Sequence, residues 1–245
     1  MKISGAQKIE NRKKIIRKTV EILIEKDFKS TTMRAIARAA GIGDATIYNY
    51  FPTKESILYA YYEDAMHACI EKLKNIEKFN EYSLQEQLQT LFEVEFELFL
   101  PDREFIRKTF KKVFFSFSQD YSRLIPVRTV FFKIVDDMFN AAVEVGEIPE
   151  QVFQDLVCFL LWDYNIGIVM YWTNDDSDMF SDTTVFNDKS IDLICSLLKS
   201  GIANKTFDIA TFLFRNHILT RMHSMKERFK TVDFVKREFM GDEND

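Results

Sequence analysis

Apolar residues recur at spacings of three and four along most of the chain, the period of helices with one buried face. The first such run, about residues 7–27, places Ile16, Val20, Leu23 and Ile24 on one side and Arg12, Lys13, Arg17 and Lys18 around the other. Ser30–Thr31–Thr32 breaks the period and offers an N-cap for a short helix over 33–40, which Gly41 ends. A second short helix is predicted over 44–50. Phe51–Pro52–Thr53 stops it and caps a long helix over 54–75. Further helices are expected near 83–100, 102–118, 127–145, 150–173, 187–201 and 206–230, the segment 174–188 reading as an acidic loop. The pattern is all-α.

Composition supports this. The 245 residues include only 7 Gly and 4 Pro, too few turn-formers for a sandwich or barrel, which turns every ~8–12 residues. With 47% hydrophobic and 29% charged residues the chain has ample material for a core and is not of the disordered class. Cys69, Cys158 and Cys195 each stand in an apolar helical context and read as small buried hydrophobes of a reducing compartment. Met1–Gly5 leads straight into a charged run, with no leader pattern. The most apolar stretch, 152–172, is interrupted by Asp155, Asp163 and Asn165, so no membrane span and a cytoplasmic location are expected.

Charge divides the chain unevenly. Residues 1–62 carry 12 Lys+Arg against 6 Asp+Glu, and the remainder carries 21 against 32, so a head of +6 stands on a body of −11. Such a head suits a polyanion; a basic solvated helix face explains it equally well. The motif inside the head decides. Two short helices can cross closely where the first offers a small residue, here Ala37, and the turn needs Gly41 four positions on. Ile47 and Tyr50, ten and thirteen positions on, then pack the second helix back. Within residues 32–51 this is the requirement of a helix-turn-helix, whose second helix enters the major groove while the first crosses the backbone.

Thr32, Ile36-Ala37, Ala40-Gly41-Ile42, Thr46-Ile47-Tyr48-Asn49-Tyr50-Phe51 and Lys54-Glu55-Ser56-Ile57-Leu58 together resemble the DNA-binding domain of the TetR (tetracycline-repressor) family of bacterial transcription regulators. The resemblance covers residues 8–62. It departs from the family at Gly43, where a capping Ser is usual, and at Ala45, where Gly is common; Asp44 is an alternative cap but brings a carboxylate near phosphates. The chemistry of the side chains gives Thr46 and Asn49 as base readers, with Tyr48, Tyr50, Thr32 and Lys54 as phosphate contacts and Gly43, Asp44 and Ala45 at the reading end. Arg34 is either a backbone contact or solvated. The domains expected are 1–53, DNA-binding, and 54–245, with 54–75 as a lever helix and 206–230 as an added C-terminal helix.

For the body, the resemblance implies effector binding and homodimerisation through helices 150–173 and 187–201. Phe110, Phe114, Phe117, Tyr121, Trp162 and Tyr164 are candidates to line a cavity for a small apolar or aromatic effector, though each is also suited to an ordinary core. The acidic run Asp175, Asp176, Asp178, Asp182 lacks the Gly and terminal Glu of a calcium loop. His67, His217 and His223 lack zinc spacing, so no metal, cofactor or catalytic residue is assigned. The expected function is a sequence-specific, ligand-responsive repressor that binds a palindromic operator as a dimer. The alternative is an effector-independent structural DNA-binding protein of nucleoid type. A cavity opening near Phe114 favours the first, and a filled core the second.

Overall fold

A computed structural model describes residues 4–115 and 121–213. Among these, nine α-helices and several 3-10 turns make up the ordered backbone, with no strand. The head contains α1 (Gly5–Glu25), α2 (Met33–Ala40) and a 3-10 turn, Thr46–Asn49. The long α3 (Lys54–Lys74) leads into a body of α4 (Leu84–Phe99), α5 (Arg103–Phe114), α6 (Ile125–Glu144), α7 (Gln154–Thr173), α8 (Ser181–Lys199) and α9 (Ile202–Leu213).

Local chemistry sets the helix starts. Thr32 Oγ1 accepts from Ala35 N, and Gly41 closes α2 at φ +66°, a left-handed conformation that costs a residue with a Cβ roughly 1 kcal/mol. Thr53 with Ser56, and Ser83 with Glu86, form reciprocal capping boxes at α3 and α4. Two cores result. A small one gathers Ile15, Ile36, Ala37, Ile47 and Phe51 with Ile57 and Ala60 of α3. The larger one runs from Leu58 and Tyr62 of α3 through α4–α8. The first two turns of α3 therefore contribute to both cores, just beyond the boundary expected at 53/54.

Two other elements differ from expectation, the segment 44–50 and the loop 174–188. The expected helix 44–50 has α-region backbone at Ala45 and Tyr50, but its centre tightens to a 3-10 turn at Thr46–Asn49. Gly43 O accepts from both Thr46 N and Ile47 N there. Helix 102–118 is described only to Phe114. The acidic loop expected over 174–188 ends early, because α8 starts at Ser181. Asp175 causes this: one carboxylate oxygen accepts from Ser177 N and Oγ, the other from Thr183 N and Oγ1, at 2.6–2.9 Å. A buried carboxylate thus caps α8 from six residues upstream, and its oxygens are already occupied.

Of the expected C-terminal helix 206–230, α9 accounts for the portion to Leu213, and it begins earlier, just after left-handed Gly201. Asn204 pins it by accepting from Val152 N and donating to Glu150 O. Residues 214–230, with His217 and His223, lie outside the described residues. Helix α7 is long and apolar enough to cross a membrane by length and composition, and half of its apolar window is buried in the body.

Candidate nucleic-acid interface and effector site

The helix-turn-helix forms as its spacing requires. Ala37, Ile36, Ala40 and Ile47 have no exposed surface, which holds the 3-10 turn against α2. Locking Ile47 inward forces its neighbours out. Gly43, Asp44, Ala45, Tyr48 and Asn49 form one exposed ridge, Tyr48 being 54% accessible, while Thr46 is half-buried beside Gly43.

Other candidates have inward partners. Tyr50 is half-buried against the small core, and its hydroxyl accepts from Asn11 Nδ2 at 3.0 Å, so its part is to hold the turn. Lys54 lies over the Phe28 ring at 4.3 Å and donates to Phe28 O and Thr31 O. Those bonds tie α3 to the loop before α2. Two of its three donors are thus used internally, which gives Lys54 a positioning part and leaves one donor for the phosphate contact expected of it. Arg34 Nε pairs with Asp44 at 2.9 Å, so the arginine offsets the one carboxylate on the exposed ridge. Both partners are exposed, and such a pair contributes only ~0–1 kcal/mol. Thr32 is exposed and its hydroxyl keeps a donor beyond its capping role. Lys14, not singled out by the motif, approaches Gly41 and puts a further cation beside the turn.

In the body, Phe110, Phe114 and Trp162 do converge. Phe110 and Phe114 are 4.3 Å apart by ring centroids, Phe114 and Trp162 6.0 Å, and Tyr62 meets Phe114 edge-on at 5.1 Å. These rings do not line a roomy cavity; they close on one of about 10 Å³. Tyr164 departs from expectation: its hydroxyl donates to Asn187 on α8 and its ring packs on Phe92, away from this cluster. Phe117 and the Tyr121 side chain lie outside the described residues.

Missed from the sequence were Glu95 and Asn165, which share the small cavity with those rings. Both are buried, joined by one 3.4 Å hydrogen bond from Asn165 Nδ2 to Glu95 Oε1, and Glu95 Oε2 and Asn165 Oδ1 have no partner. A signal existed. Glu95 follows Leu84, Leu88, Leu91 and Phe92 and precedes Phe99 on the buried side of α4, and Asn165 lies likewise between Trp162 and Ile168 on α7.

Head and body meet through ion pairs as well as through α3. Arg17 of α1 pairs with Asp102 at 2.7 Å, and Asp102 also accepts from the Tyr61 hydroxyl at 3.1 Å. Tyr61 precedes Tyr62, which walls the aromatic cluster.

Comparison with known proteins agrees with this arrangement. Residues 15–61 match the family described as bacterial regulatory proteins, tetR family, and residues 87–213 match the tetracyclin repressor-like C-terminal domain. The fatty acid metabolism regulator protein of Bacillus subtilis (strain 168) is 26% identical over 197 residues, 78% of this chain and 95% of that protein. The biofilm operon icaADBC negative transcriptional regulator IcaR of Staphylococcus aureus (strain Newman) is 34% identical over 89 residues, 35% of this chain and 46% of its own. The crystal structure of the regulator FadR from Bacillus subtilis in complex with stearoyl-CoA superposes with a TM-score of 0.57 at 24% identity, covering 77% of this chain and 97% of that one.

Proposed function

The chain belongs to the TetR family of bacterial regulatory proteins, and on that premise we propose that it is a cytoplasmic, homodimeric repressor whose two heads read a two-fold symmetric operator. Its work is regulation of transcription rather than catalysis. The observation that carries the reading is the exposed Tyr48–Asn49 ridge, set outward by a fully buried Ile47 in the basic part of the chain. In this reading Asn49 and Thr46 face base edges, and Tyr48, Thr32 and Lys14 face phosphates.

Dimerisation is assigned to α7 and α8. Leu156, Phe159, Leu160 and Tyr171 on α7, with Phe186, Leu193 and Leu197 on α8, are large apolar side chains left exposed. Gly167 has open space where a Cβ would stand, about two helical turns beyond Leu160, so a partner helix can approach closely there. Obligate interfaces bury more than ~2,000 Å² and are apolar at the centre, which this face suits.

The rings near Phe114 are nearly filled, which alone would suit an effector-independent binder. The family membership and the unpaired Glu95–Asn165 pair favour a ligand-responsive one. Effector binding that displaces Tyr62 would be felt through Tyr61, Asp102 and Arg17, which fix α1 on the body. Its differential affinity for the two head positions then sets operator release. The relatives are named for fatty acid metabolism and for a biofilm operon, and the stearoyl-CoA complex of the FadR structure supports an effector with an apolar body for this chain. Selection of duplexes from a random pool by the purified protein tests the reading. A two-fold symmetric consensus is expected, and enrichment of no sequence would overturn it.

A further inference from the structure

The Glu95–Asn165 pair is the one place in the described body where two wholly buried polar side chains face a cavity with unpartnered atoms. A buried acceptor without a donor leaves its desolvation uncompensated, so its retention in an otherwise aromatic enclosure calls for a reason. Around it stand Tyr62, Phe99, Phe110, Phe114 and Trp162, whose ring faces carry negative potential. Tyr62 uses its hydroxyl on Thr109, leaving its ring as its contribution to the enclosure.

We propose that this enclosure is the effector site's polar end and takes a protonated primary amine on an apolar body. The ammonium donates to Glu95 Oε2 and Asn165 Oδ1 while the rings surround it. This rests on the ligand-responsive reading above and names the ligand's chemistry.

The donor inventory separates this class from others. A carbonyl, as in an ester or thioester, can use at most a proton held by Glu95 and leaves Asn165 Oδ1 unpaired. A carboxylate can accept that same proton but brings no donor of its own, so Asn165 Oδ1 again stays unpaired. An ammonium supplies three donors and the missing positive charge, and its attraction to aromatic faces grows when both are desolvated. A residual volume of about 10 Å³ holds no such ligand unless a wall moves. Phe114, in the last turn of α5, and Ile166 are the two wall residues that are only half-buried, and Phe114 is the ring of the two. Turning it outward opens the enclosure and frees its contact with Tyr62.

Charge linkage gives the class a signature. Burial pushes the Glu95 carboxyl up to about 8, with only the Asn165 hydrogen bond opposing it. The titratable groups facing it are Cys69 and Tyr62 on α3, both raised by burial; the residues that α5, α6 and α7 present to the cavity are uncharged. Glu95 is therefore protonated at pH 7 until a cation arrives, and then releases its proton to solvent.

The test uses the full-length protein with octylamine, octanol, octanoate and stearoyl-CoA as probes, by calorimetry at pH 7 in two buffers of different ionisation enthalpy. Octylamine is expected to bind at least about tenfold more tightly than octanol or octanoate. It should release close to one proton per chain. Glu95→Gln should lower octylamine affinity by about tenfold or more, with octanol affinity within about threefold and proton release abolished. A thermal melt shows whether that variant is folded, and Asn165→Leu serves as the second probe of the same site. Octylamine should also release the protein from its selected duplex. Binding of stearoyl-CoA but not octylamine, or amine binding without proton release and unchanged by Glu95→Gln, would overturn the inference and leave the repressor reading intact. Failure to bind any duplex would instead remove the repressor reading.

Discussion

Asn49 illustrates how a single residue's role follows from a neighbour's burial. Ile47 is fully enclosed, so the side chain two positions on faces solvent, and its amide can pair with an adenine edge. Asn49→Ala should relax preference at one base position of the selected site, costing roughly 1–3 kcal/mol on the preferred base and little on others. Competition with duplexes altered at single positions checks this. Lys54→Ala should act differently, weakening all sequences alike by loosening the loop before α2, and should lower the melting temperature too; a phosphate contact alone would leave the melt unchanged. The distinction was hidden in the sequence because Phe28 and Thr31, which engage Lys54, are more than twenty residues away. Glu95 was more legible than it looked. A carboxylate on the apolar side of a helix is detectable by period, but that one of its oxygens lacks a partner is not, since that depends on what α3, α5 and α7 bring against it.

Elements were legible where their determinants are local. The caps at Thr32, Thr53 and Ser83 and the stop at Gly41 lie within four residues of the boundaries they set, and those helices form close to where the period places them. Helix α8 was misplaced because its cap, Asp175, lies six residues before it and reads as one acid in an acidic run. Burial acts to raise this carboxyl, but the hydrogen bonds from Ser177 and Thr183 outweigh it and hold it well below the ordinary carboxylate range. The sign follows: the unfolded chain takes up this proton first, so Asp175 stabilises the fold above about pH 4, and that contribution fades as pH falls further. Asp175→Ala should cost roughly 2–3 kcal/mol at pH 7, and the difference should shrink below pH 4. Urea midpoints across pH measure it. The opposite sign holds at Glu95, where a raised carboxyl makes the fold lose stability as pH rises from about 4.5 toward 8. The 3-10 turn of the reading segment was expected as a helix because both conformations bury Ile47 and present the same ridge.

At the scale of the whole molecule, the basic head and acidic body were plain in the charge count, and the helix-turn-helix supplied the reason for the head's sign. The dimer face was only generically legible. Apolar residues on α7 occur all round the helix, and no period alone separates Trp162, which is buried, from Leu160, which is not. If α7 and α8 form the interface, Leu193→Asp should convert the dimer to a monomer at micromolar concentration in sedimentation, while the head keeps its fold. A dimer that survives Leu193→Asp together with Leu160→Asp would place the interface elsewhere.

The central claim is that two basic heads on one dimer bind DNA by charge and by sequence together. Its most direct measurement is the affinity for the selected duplex and for a scrambled duplex of equal length, across a series of salt concentrations. Two chains should bind each selected duplex, with log affinity falling linearly against log salt at about −0.9 per phosphate neutralised. The scrambled duplex should bind at least about 10³-fold more weakly at physiological salt. Equal affinity for both duplexes, or binding indifferent to salt, would contradict the account.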